Sequence, residues 1–331
     1  MTKRLAINGF GRIGRNVFRI IQKRDDDLEV VAINDLTDAE TLAYLLKYDS
    51  VHGRFDGEVE ATANGIKVNG TEIEVTSKKD PANLAWDEKN IDIVIEATGV
   101  FRKRALLQKH LDAGANKVIL TVPAKDEIDN TIVLGVNDDE LKDSDKIVSN
   151  ASCTTNCLAP MAKVLNDKFG IEKGLLTTVH GYTASQAILD APMKKTRRGR
   201  AAAENIIPTT TGAAIATTKV LPELEGKIDG MAMRVPVPDG SIVDGVFNLS
   251  TDVTVEEVNA AFKEASEGEM EGVLGYTEDE VVSRDIIGSP YSSLIDAQST
   301  MMVAGNQVKV LSWYDNEWGY SNRVIDLALR L

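Results

Sequence analysis

The sequence predicts an α/β chain in two parts: a doubly wound parallel sheet, then an α+β region with a mostly antiparallel sheet. Three observations carry this. Short apolar runs alternate with helix-length amphipathic stretches up to about residue 150, and strand-like runs dominate beyond it. The length of 331 residues also exceeds the ~250–300 at which one hydrophobic core stops growing.

Leu5-Ala6-Ile7-Asn8 reads as a buried strand, and Arg12 to Lys23 as a helix with Ile13, Val17, Ile20 and Ile21 at helical spacing. Glu29 to Asn34 is the next strand, followed by a helix over Asp38 to Lys47. Ile91 to Ala97 reads as a strand, Lys103 to Ala113 as a helix with Gly114 as its stop, and Val118 to Val122, Ile132 to Val136 and Ile147-Val148 as further strands. Cys153 to Phe169 fits a long helix ended by Gly170, with Pro160 expected to disturb it locally. Strands are then expected at Leu175 to Val179, Gly230 to Val237 and Val308 to Trp313, and helices at Thr210 to Leu221 and Val255 to Ala265. Ser321 to Leu331 closes the chain as an amphipathic helix.

Composition narrows the function classes. No apolar run reaches the ~18 residues of a membrane span, and the short strand after Met1-Thr2-Lys3-Arg4 is no signal-peptide core. The expectation is an unexported, cytoplasmic protein. A net charge of −14 repels phosphate backbones, so no nucleic acid is expected as primary partner. Against that trend stands the basic run Lys194, Lys195, Arg197, Arg198 and Arg200, which suits a small phosphorylated substrate, an oligomer interface or a solvated loop. The two cysteines, Cys153 and Cys157, lie one helical turn apart, a poor geometry for bridging each other. With three histidines they fall short of a metal signature, so no metal is expected.

Two constellations carry chemistry. Gly9-Phe10-Gly11-Arg12-Ile13-Gly14 follows the first strand and opens the first helix. There the first glycine permits a tight turn, the second admits a pyrophosphate, and the third lets helix pack on strand. Asp35 ends the second strand, where a carboxylate accepts from an adenosine ribose and repels a 2′-phosphate. A Rossmann-type site for NAD, in preference to NADP, follows. The second constellation is Ser149 to Cys157. A thiol in the first turn of a helix feels the positive end of the macrodipole, which favours thiolate, and Ser152, Thr154 and Thr155 crowd the same turn. Cys153 is thus a candidate nucleophile and Cys157 a packing residue. His180, at the end of a strand, is the leading candidate base; His52 reads as a loop residue and His110 as an exposed or packed helical one.

At these residues the chain resembles the phosphorylating glyceraldehyde-3-phosphate dehydrogenases. The matching stretches are Ile7 to Arg15, Tyr48 to Gly53, Ser149 to Cys157, Arg200 to Ala203, Thr211 to Ala214, Met233 to Pro236 and Tyr314 to Asn322, spread over the whole chain. The resemblance implies that Cys153 attacks the aldehyde of D-glyceraldehyde 3-phosphate with His180 as base. A thioester forms with NAD as oxidant, and inorganic phosphate cleaves it to 1,3-bisphosphoglycerate. It further implies a substrate-phosphate site at Thr183, Arg198 and Arg234, and an attacking-phosphate site at Ser152, Thr154, Thr211 and Gly212. Cofactor contacts are implied at Gly9, Gly11, Arg12, Ile13, Gly14, Asp35, Lys79, Thr121 and Asn316, in a homotetramer. The implied domains are 1–149 for NAD and 150–315 for catalysis, with helix 316–331 returning to the first. Lys79 and Thr121 stand where Arg and Ser are frequent, and Ala191-Pro192 resembles NADP-using chloroplast forms. The rival is erythrose-4-phosphate dehydrogenase, in which water cleaves the thioester.

Overall fold

The computed structural model describes residues 2–331. The elements run β1 (Lys3–Asn8), α1 (Arg12–Ile21), β2 (Leu28–Asn34), α2 (Ala39–Lys47), β3 (Val59–Ala61), β4 (Gly65–Val68), β5 (Thr71–Thr76), β6 (Ile93–Glu96), α3 (Arg104–Asp112), β7 (Lys117–Leu120), β8 (Asn130–Thr131) and β9 (Ile147–Ser149). They continue as α4 (Cys153–Phe169), β10 (Ile171–Gly181), β11 (Ile207–Thr210), α5 (Ala213–Val220), β12 (Ile228–Val235), β13 (Ser241–Leu249), α6 (Val255–Ser266), β14 (Leu274–Thr277), β15 (Ser293–Val303), β16 (Gln307–Tyr314) and α7 (Trp318–Arg330). The chain divides into two compact units, one of residues Met1–Ile132, Asp139–Ala151 and Ser321–Leu331, the other of Val133–Asp138 and Ser152–Tyr320.

The first unit holds a nine-stranded sheet in the order β3-β4-β5-β2-β1-β6-β7-β9-β8. Its centre is parallel: β1 pairs with β2 and with β6, and β6 with β7. These strands are buried on both faces, which is why they read as unbroken Val/Ile/Leu runs. Beyond β2 lies a β3–β4–β5 antiparallel extension that the sequence reading did not foresee. Those strands alternate buried Val59, Ile66, Val68 and Ile73 with charged neighbours, and are short enough to be masked by the surrounding Gly, Asn and Thr. The C-terminal part of α7 belongs to this unit: Lys3 donates its Nζ to the carbonyls of Ala328 and Leu329, at 3.1 and 2.7 Å, favouring a cation at a helix C-terminus.

Buried polar groups also tie the sheet together. Trp86 Nε1 donates to Nδ1 of His110, and Nε2 of that ring lies 3.1 Å from Glu96, which also accepts from Asn8. His110 is therefore a fully buried, hydrogen-bonded core residue.

Two expectations need correction here. Ile132 to Val136 is no strand: the Asn137 side chain accepts from Val133 N, Asp138 accepts from Gly135 N, and Gly135 has φ +77°. Local Gly/Asn/Asp turn chemistry overrides the apolar run. The helix expected from Thr210 begins at Ala213, because β-branched Thr209 and Thr210 extend β11 along β12.

The second unit carries a seven-stranded sheet, β11-β12-β10-β13-β16-β15-β14, mostly antiparallel. The pairs β10–β12 and β14–β15 are parallel. Helix α4 packs on β13, β15 and β16, burying Leu158, Met161 and Leu165 completely. That burial outweighs the missing amide of Pro160, and the helix continues through it without a break. Among the described residues, no helix is long and apolar enough to cross a membrane.

Candidate active site

In the first unit, Gly9, Gly11, Asp35 and Lys79 line one cavity of about 380 Å³, together with Asn8, Asn34, Thr98 and neighbouring residues. The three glycines of the turn do separate jobs. Gly9 has φ +93°, and a Cβ there would meet the backbone of Thr98 at 2.7 Å; one on Gly14 would lie 2.2 Å from the Gly9 carbonyl. Gly11 differs, since a Cβ there meets nothing within 4 Å. The space over Gly11 is thus left open by the protein at the N-terminus of α1, where backbone N–H groups lack intrahelical acceptors. A pyrophosphate fits that position.

Asp35 accepts from Phe10 N at 2.7 Å through one oxygen and from Thr37 N at 2.9 Å through the other. It braces the glycine turn while each oxygen keeps a second lone pair for a ribose hydroxyl. Arg12 and Ile13 form the first turn of α1, and Arg12 pairs with Asp49. Burial opposes the Asp49 charge, but Arg12 and the His52 and Val51 amides hold its carboxyl down at about 2. Thr121 is buried at the end of β7, its hydroxyl donating to the Glu96 carbonyl at 3.0 Å. Asn316 belongs to the second unit, where its side-chain oxygen accepts from Ser241 Oγ at 2.5 Å.

In the second unit, the thiol and the imidazole meet. Ser152 caps α4 by accepting from Thr155 N, which makes Cys153 the first helical residue. His180 ends β10, and its Nε2 lies 3.5 Å from Cys153 Sγ. Its Nδ1 lies 2.7 Å from the Gly181 carbonyl. Opposing effects act on the Cys153 thiol. Desolvation raises the Cys153 thiol, and the charge of Arg234 and the hydrogen bond from Thr154 offset this only in part. Burial, then Arg234, push His180 down to about 3. Burial thus opposes the charged form of each group.

Arg234 reaches this pair through strand register: on β12 it is the direct partner of His180 on β10. Its Nη1 lies 2.8 Å from His180 Nδ1 and donates to the Gly181 carbonyl at 2.9 Å. The Nε of Arg234 is buried with no protein partner, a donor suited to an anion. Arg198 and Thr183 are gathered by Ser185, whose hydroxyl accepts from Arg198 Nη1 at 3.1 Å and lies 2.8 Å from Thr183 Oγ1. The basic segment is thus folded back on β11, where Arg198 Nε donates to Thr209. Thr211 and Gly212 precede α5, Thr211 accepting from Ala213 N.

Sequence reading missed Tyr314. Its hydroxyl lies 2.9 Å from Thr154 Oγ1 and 2.8 Å from Thr178 Oγ1, and its ring stands edge-to-face with that of His180, the centroids 5.9 Å apart. The hydroxyls of Thr154 and Thr178 thus share one buried phenol, while Ser152 Oγ has its own partner in Thr155 Oγ1. The motif Tyr314-Asp315-Asn316 marked the segment, but sheet order alone brings β16 beside the site.

Comparison with known proteins agrees with this geometry. Residues 3–104 match the NAD binding domain of glyceraldehyde 3-phosphate dehydrogenase and residues 152–316 its C-terminal domain. The chain is 62% identical over 329 residues to glyceraldehyde-3-phosphate dehydrogenase from Geobacillus stearothermophilus, covering 99% of this chain and 98% of that one. It is 60% identical, with the same coverage, to glyceraldehyde-3-phosphate dehydrogenase 1 from Bacillus subtilis. It is 58% identical to the Salmonella typhimurium enzyme of the same name, covering 100% and 99%. With family matches on both parts of the chain and full-length relatives at this identity, the chain belongs to the glyceraldehyde-3-phosphate dehydrogenase family.

Proposed function

We propose that this protein oxidises D-glyceraldehyde 3-phosphate with NAD and inorganic phosphate to 1,3-bisphosphoglycerate, using Cys153 as nucleophile and His180 as general base. The observation that carries the residue assignment is the 3.5 Å approach of Cys153 Sγ to His180 Nε2 at the head of α4. As Sγ bonds to the aldehyde carbon, its proton passes to Nε2, and the imidazolium then steadies the new alkoxide as a hydroxyl. His180 takes that proton again when the hemithioacetal is oxidised. NAD supplies the hydride acceptor when bound. The thioester on Cys153 is opened by a phosphate oxygen, which releases the acyl phosphate and restores the thiol.

Arg234, Arg198 and Thr183 would hold the substrate phosphate, the buried Arg234 Nε being the donor left unpaired by protein. Ser152, Thr154, Thr211 and Gly212 would hold the attacking phosphate. Gly9, Gly11, Arg12, Ile13, Gly14, Asp35, Lys79, Thr121 and Asn316 would contact NAD. A homotetrameric, cytoplasmic enzyme completes the reading.

The test is NADH formation from glyceraldehyde 3-phosphate with and without inorganic phosphate, with intact mass spectrometry of the protein during turnover. Phosphate-dependent turnover and a mass adduct on Cys153 when phosphate is withheld are expected. Turnover indifferent to phosphate, or an adduct elsewhere, would overturn the assignment.

A further inference from the structure

Three chains of hydrogen bonds meet on Glu96, the fully buried last residue of β6. The first starts at the Trp86 indole N–H, which can only donate. Nδ1 of His110 therefore accepts from it at 3.1 Å, and the ring's proton sits on Nε2, facing Glu96 Oε2 at 3.1 Å. The second starts at the Val100 amide, which donates to Thr98 Oγ1 at 3.1 Å. That hydroxyl then donates to Glu96 Oε1, as does the Thr98 amide at 2.9 Å. The third starts at the Lys78 peptide, whose N–H donates to Asn34 Oδ1 at 2.8 Å and whose carbonyl accepts from Asn34 Nδ2 at 3.0 Å. With that amide so oriented, Asn34 Nδ2 also donates to Asn8 Oδ1 at 2.7 Å, and Asn8 turns its Nδ2 to Glu96 Oε2 at 2.5 Å.

Each chain begins at a group whose polarity cannot change, and each reaches Glu96 as a donor. Only a side chain that accepts at both oxygens can end all three. A carboxamide of the same shape cannot. With its oxygen toward Thr98, its NH2 faces the donors of Asn8 and His110; turned round, it faces the Thr98 amide. Either mismatch strikes the cavity beside the glycine turn, which Asn8, Asn34, Lys78 and Thr98 line together with Asp35. The Thr98 backbone also lies directly against Gly9, where a Cβ would come within 2.7 Å of its nitrogen. Behind this wall, His110 and Trp86 are fully buried, and the His110 ring stands edge-to-face with Phe101 of the cavity, the centroids 6.4 Å apart.

We infer that Glu96 is a positioning residue for the dinucleotide. By accepting from all three chains it fixes Asn8, Thr98 and, through Asn34, the Lys78 peptide in the arrangement that receives the adenosine half, while Trp86 and His110 lock it from behind. The inference rests on the reading of this cavity as the NAD site. It assigns work to a buried polar cluster that packing alone would fill with apolar side chains at less risk of an unpaired group.

Calorimetry of NAD binding to the full-length protein, joined to steady-state kinetics, tests it. Glu96→Gln is expected to raise Kd and KM for NAD by about tenfold. Its kcat at saturating NAD, and its KM for the aldehyde, should stay within roughly threefold of wild type. A second pair of variants leaves Glu96 in place. His110→Phe fills the space of the ring but deletes the donor, and is expected to weaken NAD several-fold. His110→Gln can donate to Glu96 through its NH2 and accept from Trp86 through its oxygen, and is expected to bind NAD nearly as wild type does. A packing role predicts the reverse order. Neutron diffraction on wild-type crystals needs no substitution: deuterium is expected on His110 Nε2, and none on His110 Nδ1 or on Glu96. Should Glu96→Gln fail to fold, the His110 pair and the neutron map decide. Deuterium on His110 Nδ1 or on Glu96, or NAD binding unchanged in Glu96→Gln and His110→Phe while Asp35→Ala weakens it, would overturn the inference alone. If Asp35→Ala also leaves NAD binding unchanged, the cofactor reading of the cavity falls, and the inference with it.

Discussion

Cys153 and His180 lie 27 positions apart in the chain, yet Sγ and Nε2 approach to 3.5 Å because α4 ends where β10 begins and the strand runs back along the helix. On the proposed reading, the thiol gains its reactivity from proton transfer to His180, the base positioned beside it. His180→Gln is expected to lower kcat by about 10²–10⁴-fold, with KM for the aldehyde changed far less. A steady-state kinetic comparison checks this; a drop confined to KM would assign His180 to binding.

Cys157 sits one turn further into α4, fully buried, and burial pushes its thiol to about 12. Iodoacetamide at neutral pH should therefore label Cys153, which is only partly buried and has the His180 imidazole at 3.5 Å to take its proton, and leave Cys157 untouched. Peptide mapping by mass spectrometry reads the ratio, and comparable labelling at both would contradict the burial argument.

Stability should vary with pH through two groups of opposite sense. His180 is lowered from 6.5 to about 3, so the unfolded chain binds the extra proton between these values. Its contribution is complete above pH 6.5 and is lost as pH falls toward 3. Asp239 is raised above its ordinary 3.8, first by burial and then by Asp315 beside it, so the folded chain keeps a proton the unfolded chain has lost. That contribution is complete below pH 3.8 and is lost as pH rises. In urea titrations, His180→Gln should flatten the decline between pH 6.5 and 4 relative to wild type. Asp239→Asn should gain on wild type steadily from pH 5 to pH 8. Curves displaced in parallel would rule out titration at these sites.

Asp35 combines two features, bracing Phe10 N and lining the cavity beside Gly9 and Gly11 proposed for NAD. Asp35→Ala should raise KM for NAD by about 10–100-fold, the loss of one or two charge-assisted hydrogen bonds. It should also narrow the NAD over NADP preference by removing the charge that repels a 2′-phosphate. The ratio of kcat/KM for the two cofactors separates these effects, since damage to the glycine turn alone would weaken both equally.

By itself the sequence determined the parallel core, the glycine turn with Asp35, and a cysteine at the head of a helix. Each depends on local spacing: apolar period, cap residues, and glycines where a Cβ would strike backbone at 2.2–2.7 Å. It did not determine the β3–β5 extension, whose short strands are stabilised by pairing on β2. Nor did it determine what surrounds His180. Arg234 arrives through parallel register with β10, and Tyr314 through the order β10-β13-β16, both contacts across long stretches of chain. Those contacts bring the burial that opposes charge on Cys153 and on His180. Helix position is written in adjacent residues, whereas desolvation and hydrogen-bond competition arise only when distant strands close over the site.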